Sequence, residues 1–143
     1  MTFGKVLAVL AGSAVIAVGT ACPASSRSAC ADLGGTVGSD QICEVHDTTT
    51  TYNLTLRFPT DYPDQPAVAD YLTRSRQEFI DWAGAYSTPA RATPYELDVI
   101  GKAYQSGDTR SLVLTIGNDT GVHPVTTYQA FNFSLSDHAP VAF

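Results

Sequence analysis

Hydrophobic and polar positions alternate strictly in the stretch TTYNLTLRF. Tyr52, Leu54, Leu56 and Phe58 fall on one parity, and Asn53, Thr55 and Arg57 on the other. A period of two predicts a strand with one buried face. Pro59 and Pro63 end it. The spacing then changes. In DQPAVADYLTRSRQEFIDWAGAY, the residues Val68, Leu72, Ser75, Phe79, Trp82 and Tyr86 recur at steps of four and three, which predicts one helical stripe. Asp64 is placed to cap the helix and Pro66 suits its first turn. Asp70, Arg74, Gln77 and Asp81 form the opposite, solvated face. The aromatic stripe reads as core, because a single helix on a sheet has to bury that face.

After the loop STPARATP, the segments YELDVIGKAYQ and SLVLTIG read as two more strands, joined by a hairpin turn through Gln105–Thr109. Gly101, inside the first of them, is expected to mark a bulge. GNDTGVHP is a second loop, VTTYQAFNFSL a fourth strand, and Ser136–Pro140 a further turn. Val141–Phe143 reads as the start of a fifth strand. Strand, helix, then a meander of strands predicts an α+β domain of two layers, with an antiparallel sheet and one long helix packed on one face.

The first 21 residues do not belong to that pattern. MTFGKVLAVLAGSAVIAVGTA carries Lys5, an apolar run and a small-residue end, the layout of an export signal peptide. Its apolar run of about 15 residues is short of the roughly 20 needed to span a bilayer. The expected division is therefore signal peptide 1–21, a small and polar linker 22–31, and a single α+β domain over 32–143. The chain is expected to be secreted or held at the cell envelope.

Cysteine usage agrees with export. Cys30 and Cys43 flank a short loop rich in Gly, Ser and Asp, which in an exported protein predicts a disulfide. Zinc is the rival reading, but His46 alone does not complete a site. Cys22 follows the expected cleavage point at Thr20-Ala21, where a lipoprotein carries its acylated cysteine. Either it is lipidated there, or a cut further on discards it.

Net charge is −6. Without clustered Lys and Arg a nucleic-acid partner is excluded. The acidic residues are scattered, as on a solvated surface. Nothing in the sequence calls for a metal or a cofactor. There is no G-x-S-x-G elbow, no H-E-x-x-H pair, no P-loop and no dinucleotide fingerprint. His46, His123 and His138 lie far apart.

His123 is the most chemical-looking position. Gly121 lets the chain turn before it, and Pro124 holds it in extended backbone. Strand parity predicts a half-buried imidazole at the sheet's rim, satisfied by a hydrogen bond in a structural role. The lesser alternative is a ligand or general-base role with Asp119, Tyr128 or Tyr104 as partner. The ligand-binding candidates are therefore His123, Tyr128 and Tyr104. Ser134, Asp137 and His138 supply the residue types of a hydrolytic triad, but neighbours within one turn rarely converge on one point. No catalytic residue is assigned.

The tracts YPDQ, STP…PYEL, YQS and HP-TTY-AF, taken together, resemble the mycobacterial secreted immunogenic protein family. The resemblance runs from Cys30 to the last residue and includes the paired cysteines. It implies export and an extracytoplasmic α+β domain, similar to domains of lysozyme-sensing anti-sigma factors and some peptidoglycan deacetylases. Members of that family extend beyond the point matching Phe143, so residues 32–143 are expected to be the N-terminal part of a longer domain. Some relatives have been proposed as cell-wall esterases. The function expected is a non-catalytic, antigen-like binding module for a protein or wall component, with a weak carboxylic-ester hydrolase as the alternative.

Overall fold

The computed structural model describes residues 29–89 and 92–142. The expected signal peptide, and Cys22 with it, lie outside the described residues. The elements run α1 (Ala29–Asp32), β1 (Thr36–Val37), β2 (Ile42–Thr48), β3 (Tyr52–Pro59), α2 (Gln65–Tyr86), β4 (Tyr95–Ser106), β5 (Thr109–Asp119), β6 (Val125–Ser134) and β7 (Ala139–Pro140). The strands form a seven-stranded sheet in chain order. The long helix packs on one face, as the patterning predicted.

All strand pairs are antiparallel except β3 and β4, which run parallel. Helix α2 is the reason. Its 22 residues span about 33 Å, enough to carry the chain back along the sheet, so β4 starts at the same end as β3. Tyr52 pairs with Tyr95 and Arg57 with Ile100. The unit is a βαβ crossover followed by a meander.

Asp64 caps α2 as expected, its side chain accepting a hydrogen bond from the Ala67 amide at 3.3 Å. The buried stripe is Val68, Leu72, Phe79 and Ala83. Ala83 takes the deep position near the helix end. Trp82 is half-buried, with its ring edge-on to Tyr95 at 4.6 Å between centroids. Tyr86 is 60 % exposed, although its carbonyl accepts from the Tyr95 hydroxyl. The expected stripe thus holds at Val68, Leu72 and Phe79 and drifts outward afterwards, where Ala83 rather than Tyr86 is buried.

The helix-facing side of the sheet supplies Val45, Leu54, Leu56, Phe58, Leu97, Val99, Leu112, Leu114 and Ile116, all buried. On β6 the same parity places Phe131 and Phe133 against the helix layer, with Phe131 edge-on to Tyr71 at 5.8 Å. Arg76 ties three elements together. It donates to Asp47 on β2 at 2.8 Å and to the Leu33 carbonyl after α1 at 3.1 Å.

Two local expectations are corrected. Gly101 does not mark a bulge, since β4 and β5 keep one register from Glu96↔Asp119 to Ser106↔Thr109. It is there for room: a Cβ would lie 2.9 Å from Phe58 Cβ and 3.1 Å from a Leu114 methyl. The stretch around Cys43 is also not a plain loop. Residues 42–48 form β2, with Cys43 and Val45 buried on one parity. The disulfide between Cys30 and Cys43 is present, with a Cα–Cα distance of 5.6 Å, and joins α1 to β2. Helix α1 takes up the end of the stretch expected as linker.

Candidate functional site

Among the described residues the one long helix covers one face of the sheet, and the other face is bare. That bare face carries the residues of opposite parity to the core: Glu44, His46 and Thr48 on β2, Asn53, Thr55 and Arg57 on β3, and Glu96 to Ser106 on β4. It continues through Thr109 to Asp119 on β5 and Thr126 to Ser134 on β6, each set taken at every second residue. The face has two characters. One end is polar and acidic, with a shallow depression of about 510 Å3 lined by Thr48, Asn53, Thr55, Glu96, Leu97 and Asp98. Glu96 sits directly opposite Asp119, a like-charge pair that costs stability. Asp119 also accepts from the Gly121 amide at 2.7 Å, which fixes the turn into β6.

The middle and far end are apolar and aromatic. Ile100, Thr115 and Tyr128 form one cross-strand row. Ile100 is 47 % exposed, Tyr104 52 % and Tyr128 71 %. The Lys102 ammonium lies over the Tyr104 ring at 5.9 Å from its centroid. Two of the three sequence candidates, Tyr104 and Tyr128, therefore share this face, two strands apart. Ile100, which joins them, was missed. Its signal was present in the alternation of DVIGK, where an isoleucine falls on the polar parity.

His123 does not join them. It is exposed in the turn between β5 and β6 and makes no hydrogen bond among the described residues. The expectation of a half-buried, hydrogen-bonded imidazole is overturned. The parity of β6 begins only at Val125, and residues 120–124 form a turn that leaves the ring in solvent. None of the proposed partners, Asp119, Tyr128 or Tyr104, hydrogen-bonds to it.

The triad types do come together in part. Ser134 is buried at the end of β6. Its Oγ lies 2.9 Å from an Asp137 carboxylate oxygen and 3.2 Å from one of Asp108, and accepts from the Asp137 amide at 3.2 Å. The Ser136 amide and hydroxyl both donate to Asp108, and the Leu135 amide donates to the Asp108 carbonyl at 2.9 Å. His138 makes no hydrogen bond in this cluster and is exposed. A serine needs a base oriented on its hydroxyl to become a nucleophile, and here its neighbours are carboxylates. The bonds from Ser136, above all its hydroxyl, hold the Asp108 carboxyl below the usual carboxylate range, with smaller help from Ser134 and His138. A base weakened in this way fixes a turn better than it takes a proton. Because the folded group is the stronger acid, its contribution is present above the ordinary carboxylate range and is lost as pH falls through the depressed value. In an NMR titration, the Ser136 amide shift should follow a midpoint below that of an unstructured aspartate. Asp108→Asn should abolish the transition and leave the rest of the sheet unchanged.

A second cleft, of about 370 Å3, lies between the β2–β3 turn and the residues after α2. Thr50, Thr51, Ser87, Thr88, Pro89 and Thr93 line it, so among the described residues it offers hydroxyls and no titratable group. Among the described residues no cluster of His, Cys, Asp and Glu could hold a metal ion, and no helix is long and apolar enough to cross a membrane.

Fold and surface together define a disulfide-closed α+β domain with a helix on one sheet face and exposed aromatic residues on the other. Comparison with known proteins gives that class a family. The chain is 42 % identical over 125 residues to Esterase Rv3036c of Mycobacterium tuberculosis, covering 84 % of this chain and 54 % of that protein. It is 34 % identical over 131 residues to the immunogenic proteins MPB64 of Mycobacterium bovis and MPT64 of Mycobacterium tuberculosis, covering 88 % of this chain and 55 % of each. The chain belongs to this mycobacterial immunogenic protein family, and it spans about half the length of the curated relatives it matches. No family model matches it.

Proposed function

We propose that the protein is an exported, antigen-like domain that works as a non-catalytic binding module. Its bare sheet face is the contact surface and a protein is the partner. One observation carries this reading: Ile100, Tyr104 and Tyr128 stand exposed on one continuous face. Tyrosine is enriched where proteins meet, since its ring adds area and its hydroxyl tolerates a wet rim. The surrounding Thr115, Thr126 and Lys102 supply polar contacts. Export is supported by the charged and apolar leader, by the disulfide, and by relatives named as immunogenic proteins. Photo-crosslinking residues placed at Tyr104 and Tyr128, and at Arg74 and Asp81 on the outer helix face, test the contact in the producing cell. A discrete adduct is expected from the sheet positions alone. Equal yields from both faces, or adducts from the helix only, would remove the sheet face from the reading.

The second reading, a carboxylic-ester hydrolase, is favoured by the name of the 42 % identical relative. It is decided with short-chain p-nitrophenyl esters and the variants Ser134→Ala and His123→Ala. No turnover above the uncatalysed rate is expected. Turnover lost in a variant that keeps its fold would establish the enzyme.

A further inference from the structure

The two edges of the sheet are not alike. At one edge β1 is only two residues long, and the exposed part of β2 behind it carries His46 and Asp47, with Asp47 held by Arg76. Short strands and charge are the usual protections of a sheet edge. At the other edge, β7 covers only Phe133 and Ser134 of β6, and the Val141 amide donates to the Asn132 carbonyl. Among the described residues, the rest of β6, Val125–Phe131, has no strand on the side away from β5. That stretch reads VTTYQAF, β-branched and aromatic, with no Asp, Glu, Lys, Arg or Pro.

The backbone bonds show which groups are free. Both main-chain groups of a residue in an antiparallel strand point to the same side. The Asn132 carbonyl faces β7, so Thr126, Tyr128 and Ala130, on the same parity, also point outward from β5. The Ala130 carbonyl is already taken by the Gln129 side-chain amide at 2.9 Å. Thr126 and Tyr128 are left, each with an amide and a carbonyl aimed at solvent.

We infer that β6 pairs with β6 of a second copy of this chain, antiparallel, about a two-fold axis beside Thr127. Thr126 of one copy then meets Tyr128 of the other, and the reverse. Each pair exchanges two backbone hydrogen bonds, which uses the outward amides and carbonyls of Thr126 and Tyr128. Strand β6 would leave the edge at Pro124 and Gly121, before it reaches the place held by Val141. Charge selects this edge. The chain carries −6 overall, so two copies repel except where both are neutral, and residues 120–136 hold no Asp, Glu, Lys or Arg. The sheets of the two copies would join into one, with both Tyr128 rings on the same face. This pairing does not rest on the function proposed above.

Sedimentation velocity over a wide concentration range, with amide hydrogen exchange on the same samples, tests it. The mass should approach that of two chains at high concentration, while the Thr126 and Tyr128 amides become protected in step. Thr126→Pro removes one outward amide that the fold itself does not use, at an edge where proline is tolerated. It should keep the circular dichroism spectrum and weaken association by about tenfold, the loss expected of one or two backbone bonds. A single-chain mass at every concentration, with both amides exchanging freely, overturns the inference. So does a dimer that Thr126→Pro leaves intact. Protection of these amides by an added extended peptide, but not by concentration, would also overturn it and give the edge to a foreign strand.

Discussion

Replacing Phe58 by alanine should destabilise the domain by about 3–5 kcal/mol, the range for a buried aromatic truncated to leave a cavity. Phe58 is 1 % exposed and sits at the end of β3, where the parallel pairing with β4 stops. Gly101 on the neighbouring strand carries no side chain and leaves room for the Cα and Cβ of Phe58, with a Leu114 methyl at the same place. Domains of this size are stable by only about 5–15 kcal/mol, so a large part of the reserve would go. Urea unfolding followed by circular dichroism should show a lower midpoint at unchanged slope. Trp82→Ala should cost less. Trp82 is the larger residue, but it is half-buried on Tyr95 and Tyr86, and water can fill the space it leaves. Equal losses for the two variants would mean that the helix end packs more tightly than its exposure indicates.

Breaking the Cys30–Cys43 disulfide should cost about 3 kcal/mol, as expected for closing a loop of this length in the chain-entropy model. The two sulfurs join α1 to β2 across a sequence separation of 13, and both cysteines are buried. The site is built for the bridge: a Cβ on Gly35 would lie 2.9 Å from each sulfur. Free-thiol labelling of the unreduced protein should find neither residue. The double variant Cys30→Ser, Cys43→Ser should unfold at a clearly lower denaturant concentration, and reductant should lower the wild-type midpoint by a similar amount. Labelling of both thiols without reductant, or reduction that leaves the midpoint unmoved, contradicts this. Residues 29–48 would loosen first, because α1 is too short to hold itself and β1 contributes only two residues.

Several of these features were legible along the chain. The alternation Tyr52, Leu54, Leu56, Phe58 and the helical stripe from Val68 to Phe79 gave both layers. Each is a local periodicity, and the residues that keep it face the core. Turn chemistry at Gly107 and Gly121 placed the strand ends, because both glycines hold positive φ. The cysteine pair was readable because two thiols close in sequence, in an exported chain, have little choice of partner. Strand β2 was obscured, since its inward residues, Cys43 and Val45, are few and stand beside polar neighbours.

What lay beyond the sequence was everything that depends on two elements meeting. Parallel pairing of β3 and β4 follows from where a 22-residue helix returns the chain. The role of Gly101 follows from Phe58 on another strand. The exposure of His123 follows from a turn that ends the parity of β6. Ile100, Tyr104 and Tyr128 became one surface only when β4, β5 and β6 came into register, since strand periodicity says which face a residue takes and not which residues share it. The free edge of β6 was decided by how little of it β7 covers. Local order was written in spacing, whereas neighbours across the sheet were set by packing and by which backbone groups the fold left unpaired.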